Sequence, residues 1–296
     1  MPEPYIDLHT HSTASDGTLT PLELVRYAAR KGLRAMALTD HDCVDGLDAA
    51  VAEGERLGVE VIPGIEISAE FPGGTMHVLG FFVDRADSKF QEGLERLQQA
   101  RRDRNPRIVR NLQALGLDIT YEEVVAASGG GQVGRPHFAK VLIQKGYAST
   151  NQNAFERYLK KGAPGYEEKF RFSPQEALEL IHQAGGVAVL AHPFTLFREG
   201  AENLDAVLAE LSRFELDGME VYYSTYSYDQ IRSYRSLAEK HGLLFSGGSD
   251  FHGSHKPGID LGVGQGQLQV PYELLEALRK RAGDHDRRRR AQPSPE

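Results

Sequence analysis

The 296-residue sequence contains a single cysteine, Cys43, and no apolar run long enough to cross a membrane. One cysteine excludes an intramolecular disulfide and suits the reducing cytoplasm. A transmembrane helix would need about eighteen consecutive apolar residues. The N-terminus also lacks the basic and apolar segments of a signal peptide. We therefore expect a cytoplasmic protein without membrane partners.

An excess of positive charge is also missing. The 34 lysines and arginines stand against 42 aspartates and glutamates, which gives a formal net charge of −8 at pH 7. This balance argues against a protein that coats duplex DNA or RNA through a broad basic surface. It still allows a short nucleotide or oligonucleotide to be held locally by metals and a few arginines. The Arg287–Arg290 run predicts a solvated, disordered tail over residues 284–296, with weak RNA attraction as the alternative.

What the sequence does contain is a His-x-His pair at the end of its first predicted strand. Alternate strand residues project to one face, so Asp7, His9 and His11 would point the same way. Two imidazoles on one rigid segment form half of a site for a divalent ion. Alone the motif is weak, because some of the 11 histidines will fall this close by chance. Its meaning depends on where further ligands lie.

Strand and helix signals alternate on both sides of a helical interruption. Short buried strands are followed by polar loops and helices, which is typical of a parallel sheet or barrel. Thr20, for example, opens a helix with a capping box and proline at the first helical position. We predict a barrel domain over residues 1–87 and 170–283, interrupted by an inserted helical domain over residues 88–169.

Metal-binding side chains follow the predicted strands. In (β/α) barrels the site is built where the C-terminal ends of the strands meet. Seven candidates from five strands stand there, and two more, in a loop and on a hairpin, can reach the same mouth. The seven are His9, His11, His41, Glu66, His192, Asp250 and His252, and the other two are Asp16 and His77. For one residue a capping or surface role would explain the position, but not for the whole set.

The motifs around these residues resemble those of the polymerase and histidinol phosphatase (PHP) family of metal-dependent phosphoesterases. They are Asp7-Leu8-His9-Thr10-His11, Thr39-Asp40-His41-Asp42, Pro63-Gly64-Ile65-Glu66, His77, Ala191-His192-Pro193 and Gly248-Ser249-Asp250-Phe251-His252. The resemblance extends over nearly the whole chain. It implies an α/β fold, a distorted seven-stranded (β/α) barrel with a helical insertion, and a centre of three divalent metal ions.

The resemblance also implies which residues hold each ion. His9, His11, Glu66 and Asp250 would hold the first, Glu66 would share the second with His77 and His192, and Asp16, His41 and His252 would hold the third. Mixed nitrogen and oxygen ligands suit Mn²⁺, with Fe²⁺ or Zn²⁺ as alternatives, better than Mg²⁺ or Ca²⁺. A metal-bridging hydroxide would be the nucleophile, since metal binding lowers the pKa of water to about 7.

Four residues are predicted to be catalytic. Glu66, His192 and Asp250 would act through the metals, whereas Asp40 would orient a ligating histidine. Asp7 has the same expected role, with a purely structural role as the equal alternative.

One branch of the family matches more closely. It combines Ser15-Asp16-Gly17 with an inserted segment of the form Arg-x-His-Phe, here Arg135-Pro136-His137-Phe138, and with Pro164-Gly165-Tyr166. This branch contains nucleoside 3′,5′-bisphosphate 3′-phosphatases and a 5′→3′ exoribonuclease. The resemblance therefore implies a nucleotide or a short 5′-phosphorylated RNA as the substrate.

The inserted segment is expected to choose the substrate. Arg135 and His137 would hold a 5′-phosphate, the arginine through its bidentate fork, while the metals attack the phosphorus on the 3′-oxygen. Relatives carry a lysine where this chain has Ala163, and a lysine at position 160, 161 or 169 is expected to replace it.

Three alternatives remain open, as does the oligomeric state. A histidinol-phosphate-type or other small phosphomonoester phosphatase would use the same metal centre. An amidohydrolase also begins with His-x-His in a barrel, but it would normally carry a metal-bridging lysine or similar group. A metal-stabilised scaffold could bind RNA without cleaving it.

Overall fold

One eight-stranded sheet organises the computed structural model, which describes residues 5–197 and 204–291. The strands are β1 (Tyr5–Thr10), β2 (Ala35–Leu38), β3 (Glu60–Ala69), β4 (Met76–Phe81), β5 (Val187–Leu190), β6 (Gly218–Tyr223), β7 (Leu244–Gly248) and β8 (Val270–Pro271). Their order in the sheet is β7-β6-β5-β4-β3-β2-β1-β8. β4 runs antiparallel to β3 and β5, and β8 antiparallel to β1, whereas the other neighbours are parallel.

The two ends of this sheet meet and form a nearly closed barrel. β8 pairs only with Tyr5 and Ile6 at the start of β1, so the second half of β1 can approach β7. There the His11 amide donates to Phe251 O at 3.0 Å, and the Asp250 amide donates to His9 O at 2.8 Å. The predicted seven-stranded barrel is confirmed, with a two-residue eighth strand added.

The helices are α1 (Pro21–Lys31), α2 (Leu47–Leu57), α3 (Ser88–Ala114), α4 (Tyr121–Ser128), α5 (Arg135–Gln144), α6 (Asn151–Ala154), α7 (Pro174–Gln183), α8 (Leu204–Arg213), α9 (Tyr228–Lys240) and α10 (Tyr272–Ala291). A π-helical turn at Phe155–Leu159 continues α6. Thr20 and Ser173 cap α1 and α7 through reciprocal capping boxes. None of the described helices has both the length and the apolar character that a membrane span requires.

Strand alternation divides the barrel's apolar residues between two clusters. β2 and β5 are buried at every position, as expected for strands of a sheet that is covered on both faces. Ala35 and Val187 pack into one cluster with Leu275 of α10, whereas their neighbours Met36 and Ala188 pack into the other, with the outer helices. This period of two fixes which strand residues can reach the barrel mouth.

The predicted insertion forms a third apolar cluster, which contains Leu112, Phe138 and Leu142. Its longest helix, α3, belongs to both regions. Phe90 and Leu94 near its start pack with the barrel cluster, and only its later turns join the third cluster. The division of the chain at residue 88 stays a prediction, and packing favours a junction inside α3.

The predicted disordered tail is wrong for residues 284–291, which continue α10 as helix, and residues 292–296 lie outside the described part. Asp217, before β6, explains the extension. Its Oδ1 accepts a hydrogen bond from Arg281 Nη1 at 2.7 Å and lies 3.1 Å from His285 Nε2. These two residues are four apart and therefore share one helix face.

Candidate metal centre

All nine predicted metal ligands lie together at the mouth of the barrel. β1 supplies His9, β3 and β4 supply Glu66 and His77, and the remaining six follow strands: His11, Asp16, His41, His192, Asp250 and His252. Glu66 lies inside β3 rather than after a strand, because antiparallel pairing with β4 extends β3 to Ala69. The side chains of His41 and His77 keep exposures of 16% and 17%, so the cluster is accessible from their side.

The ligand atoms of these residues fall into four overlapping groups, each within 4.8 Å. The groups are His11, Asp16, His41 and His252; His9, His11 and Asp250; His9, Glu66 and His192; and His41, Glu66 and His77. Glu66, His9, His11 and His41 each belong to two groups. A residue that belongs to two groups can bridge two neighbouring metal ions.

Unpaired atoms at the centre of the cluster fit metal binding. His9 Nε2, both ring nitrogens of His11 and Glu66 Oε2 are buried without an aligned hydrogen-bond partner in the described structure. An unpaired buried polar atom costs about 1–3 kcal/mol, so most are satisfied. Glu66 Oε2 nonetheless lies 3.3 Å from His9 Nε2 and 3.2 Å from His11 Nε2. Nitrogen and carboxylate atoms converging in this way are the donor set of a transition-metal site.

The protonation states agree with such a site. Burial lowers the pKa of His77 and, together with Lys256, that of His252 to about 4, so both are neutral near pH 7. Burial opposes ionisation of Glu66, yet His41 and His77 hold its pKa well below the usual value. Burial is likewise outweighed at His11, where Asp250 and Glu66 raise the pKa to about 9. An arriving cation would displace that proton.

Glu220 in β6 is the residue that sequence reasoning missed. Its carboxylate is fully buried, with Oε1 at 3.0 Å from His9 Nδ1 and Oε2 accepting from the His192 amide at 2.7 Å. A carboxylate on the far nitrogen of a ligating histidine fixes the ring and raises its basicity. The sequence feature that indicates this role is a glutamate inside the apolar strand Gly218–Val221, because a buried charge requires a partner.

The predicted contact of Asp40 with a histidine is contradicted. Its carboxylate accepts from the Ser12 amide at 2.8 Å, from Ser12 Oγ at 2.6 Å and from Ser15 Oγ at 2.5 Å. Asp40 therefore shapes the loop that carries Asp16. A short loop with two serine hydroxyls and a free amide offers a carboxylate more hydrogen bonds than one imidazole can.

Asp7 has the structural role. Its carboxylate accepts from the Ser249 amide at 2.8 Å and from the Gly262 amide at 2.8 Å. It thereby fixes the backbone just before Asp250. Burial raises the pKa of Asp7 to about 6.

Backbone strain is concentrated at the same mouth. Asp42, His192 and Asp250 have φ values of 53°, 24° and 55°. Positive φ is uncommon for residues other than glycine, and such strain is retained mostly at functional sites. Asp42 stands next to His41, and its carboxylate accepts from the Ser68 amide at 2.9 Å.

A cluster of basic side chains lies beside Asp42, between the insertion and the barrel. It consists of Arg101, Arg104, Arg135, Lys169 and Arg171, and we call it the basic pocket. Asp42 pairs with Arg101 and with Lys169 Nζ, the latter at 3.0 Å. Arg104 is 2% exposed, and within the described residues it donates to Asn105 Oδ1 at 2.8 Å rather than to a carboxylate. Burial, with Arg101 and Arg135 nearby, holds the pKa of Arg104 well below its usual value.

The two predicted phosphate-binding residues lie in different surroundings. Half-buried Arg135 donates from Nη1 to Leu159 O at 3.2 Å, and its guanidinium lies over the rings of Phe155 and Tyr166. His137 is buried outside the basic pocket, and its Nδ1 accepts from the Gly134 amide at 2.9 Å. Burial lowers the pKa of His137 to about 4, so near pH 7 only its Nε2 can donate. Of the three lysines expected to replace the one missing at Ala163, Lys169 is in the basic pocket.

Comparisons with known proteins agree with this geometry. The PHP domain family matches residues 7–246. A 3′,5′-nucleoside bisphosphate phosphatase from Chromobacterium violaceum is 33% identical, over 87% of this chain and 90% of its own. The 5′-3′ exoribonuclease Rnm from Escherichia coli is 35% identical, and the match covers 86% of this chain and 87% of that protein. The solved structure of a candidate metal-dependent phosphoesterase from Bifidobacterium adolescentis is 31% identical, with a TM-score of 0.83 over 95% of this chain and 97% of that one.

Proposed function

The chain belongs to the PHP family of metal-dependent phosphoesterases, and on that premise we propose that it hydrolyses the 3′-phosphoester of nucleotides that carry a 5′-phosphate. The observation that carries the proposal is the basic pocket beside the metal cluster. One site attracts a phosphate through metals and the other through guanidinium groups. A substrate with two phosphates satisfies both.

The nine clustered residues would hold three divalent ions, with Mn²⁺ preferred and Fe²⁺ or Zn²⁺ as alternatives. Three dications would outweigh the charge of Asp16, Glu66 and Asp250, so the cluster would attract a phosphate although the protein is acidic. When bound, the ions supply an activated hydroxide and neutralise charge on the phosphoryl oxygens.

The protein's own residues hold this centre in place. Glu66 lies at its middle, and Glu220 and Thr195 fix the far ring nitrogens of His9 and His192, at 3.0 Å in both cases. Tyr223 Oη donates to Asp250 Oδ2 at 2.7 Å, and Lys256 contacts the same oxygen. These contacts leave the ligand atoms little freedom, which orients them for metal binding.

The basic pocket would take the 5′-phosphate. Arg104 and Arg135 are its guanidinium groups without a carboxylate partner among the described residues, since the carboxylates pair instead with Arg101, Lys169 and Arg171. Guanidinium groups bind phosphate oxygens in pairs, and burial strengthens the contact. Asp42 ties this pocket to His41, so the distance between the two phosphate sites is fixed by the fold.

The fixed distance between the metal cluster and the basic pocket accounts for two activities. A terminal 3′-phosphate would leave as inorganic phosphate, which makes the enzyme a phosphatase. A 3′-phosphate that leads to another nucleotide would be cleaved to release a 5′-mononucleotide, which makes it a 5′→3′ exoribonuclease. A phosphatase for small monoesters would have no use for the buried guanidinium groups.

A product assay tests the proposal. Purified protein in Mn²⁺ is given adenosine 3′,5′-bisphosphate, 3′-AMP as the matched substrate without a 5′-phosphate, and oligoribonucleotides with a 5′-phosphate or a 5′-hydroxyl. We expect 5′-AMP plus phosphate from the first and 5′-mononucleotides from the phosphorylated RNA. The substrates without a 5′-phosphate should react at least about 10-fold more slowly, because a charged hydrogen bond contributes about 1.5–3 kcal/mol.

Other outcomes would favour the alternatives. Equal rates with and without the 5′-phosphate would indicate a general phosphomonoester phosphatase. Hydrolysis of an amide panel assayed in parallel, with none of these phosphoesters cleaved, would indicate an amidohydrolase. Retention of RNA without any product would indicate a binding scaffold.

A further inference from the structure

An exposed aromatic ring stands next to the proposed metal centre. Phe194 follows His192 by two residues and is 41% exposed, although most large apolar side chains of the described structure are buried. The exposed part of this phenyl ring borders the cavity that His77, His192 and Asp250 also line. It is therefore a candidate for contact with the substrate.

The backbone under this ring is fixed. Phe194 lies in the 3-10 turn Pro193–Leu196, where the Thr75 amide donates to Thr195 O at 2.9 Å and Thr195 Oγ1 donates to Thr75 O at 2.8 Å. A Cβ on Gly74 would lie only 2.3 Å from Thr195 O, so this approach of the two segments requires glycine. The turn is thus held against the β3–β4 hairpin.

The ring is also supported from below. Its centroid lies 5.4 Å from that of Tyr223, 5.8 Å from that of Tyr226 and 6.2 Å from that of His192. These are distances of normal aromatic contacts. A ring packed on one side and exposed on the other can stack on a planar ligand without first having to be ordered.

A cavity joins this ring to the metal cluster. It has a volume of about 360 Å³, and its walls include His77, His192 and Asp250 of the cluster together with Phe194 and Lys256. Lys256 gives this wall a cation. The combination of aromatic ring and cation is what a groove for single-stranded nucleic acid uses.

The basic pocket reaches the cluster from another side. The insertion touches the barrel in the loop after β2, where Gln132 Nε2 donates to His41 O at 2.7 Å, whereas Phe194 follows β5. A nucleotide held by its 5′-phosphate in the basic pocket would present its 3′-phosphate to the cluster. Whatever is attached beyond that phosphate would then enter the cavity lined by Phe194.

We infer that Phe194 stacks on the base of the nucleotide that follows the scissile phosphate, so that the cavity is a subsite for phosphodiesters. This inference rests on the proposed function. In the reaction, the hydroxide oxygen forms a bond to phosphorus, and the bond between phosphorus and the 3′-oxygen breaks. The 3′-oxygen takes the electron pair and a proton, and the phosphate stays on the second nucleotide. A base stacked on Phe194 helps to hold that nucleotide during the step.

The test compares a 5′-phosphorylated diadenylate with adenosine 3′,5′-bisphosphate, using wild type, Phe194→Ala and Phe194→Tyr. Phe194→Ala should lower kcat/KM for the dinucleotide about 10-fold, in the range of base–aromatic stacking by alanine substitution. For the bisphosphate, kcat/KM should change less than about twofold. Phe194→Tyr should restore kcat/KM for the dinucleotide to near the wild-type value. Tyr228→Ala, which removes another exposed ring, is the matched control and should leave both substrates unchanged.

A dinucleotide with an abasic second residue isolates the stacking interaction. For wild type, replacing the normal dinucleotide by the abasic one should lower kcat/KM about as much as Phe194→Ala lowers it on the normal dinucleotide. For Phe194→Ala, the abasic substrate should cause no further decrease. Equal effects of Phe194→Ala on both phosphorylated substrates, or no effect on either, would overturn the inference. So would a wild type that hydrolyses the bisphosphate but not the dinucleotide, although the proposed function would then survive. No activity on either substrate would instead contradict the proposed function.

Discussion

His192→Ala is expected to lower kcat in Mn²⁺ at least about 1,000-fold, since metal-ion stabilisation of the transition state contributes several kcal/mol. His192 Nε2 lies 2.8 Å from Glu66 Oε1, so the change removes a ligand from the middle of the cluster. The measurement is steady-state hydrolysis of adenosine 3′,5′-bisphosphate, with metal content determined on the same preparation. Bound metal should fall together with activity.

The matched control is His241→Ala. That imidazole lies 2.7 Å from Asp205 Oδ1, at the end of α9 and outside the metal cluster. Its loss should leave kcat within about twofold, as usual for substitutions away from a site. If His192→Ala kept more than a tenth of wild-type kcat with a full metal complement, His192 would not be a ligand on which the reaction depends.

Arg135→Ala is the second substitution expected to have a large effect on activity. We expect kcat/KM to fall about 100-fold on substrates with a 5′-phosphate and to stay nearly constant on substrates with a 5′-hydroxyl. A bidentate contact with phosphate involves two charged hydrogen bonds of about 1.5–3 kcal/mol each, and part of that energy is recovered by solvent. The difference between the two substrates is the quantity to measure, because it cancels any general damage to the fold.

Two further variants sharpen this result. Arg135→Lys keeps the positive charge but cannot make the bidentate guanidinium contact. It should therefore recover only part of the preference for substrates with a 5′-phosphate. Arg102→Ala removes an exposed guanidinium from the same insertion, where it donates to Gln99 Oε1 at 2.9 Å, and should change nothing. Equal losses of Arg135→Ala on both classes of substrate would remove Arg135 from recognition of the 5′-phosphate.

The barrel and the meeting of the nine ligands could be predicted from the sequence because both follow from local patterns. Apolar runs mark strands, and polar residues at strand ends must meet at one edge of a barrel. His9 and His252, for instance, are far apart in the chain and come together for this reason alone. The sequence predicts that the strand ends before Glu66, whereas antiparallel pairing with β4, a long-range contact, extends β3 beyond it.

Supporting residues were harder to foresee because their partners are set by tertiary packing. Glu220 is one acid in an apolar strand, and only the folded barrel shows that it faces His9. Asp40 is predicted to orient a histidine, whereas in the fold its carboxylate accepts hydrogen bonds from two serines of the first loop. The basic pocket joins Arg104 of α3 with Lys169, and no local pattern links residues so far apart in sequence. The end of α10 depends on Asp217, which no helix signal could indicate.

The most direct test of a three-metal centre with a separate 5′-phosphate site is anomalous diffraction at the manganese edge, from crystals grown with Mn²⁺, 5′-AMP and phosphate. We expect three manganese peaks bound by the nine clustered residues, with inorganic phosphate on the ions. We also expect the 5′-phosphate of AMP to contact Arg104 and Arg135. A single ion, ions outside the cluster, or a 5′-phosphate bound to the metals with the basic pocket unused would contradict this arrangement.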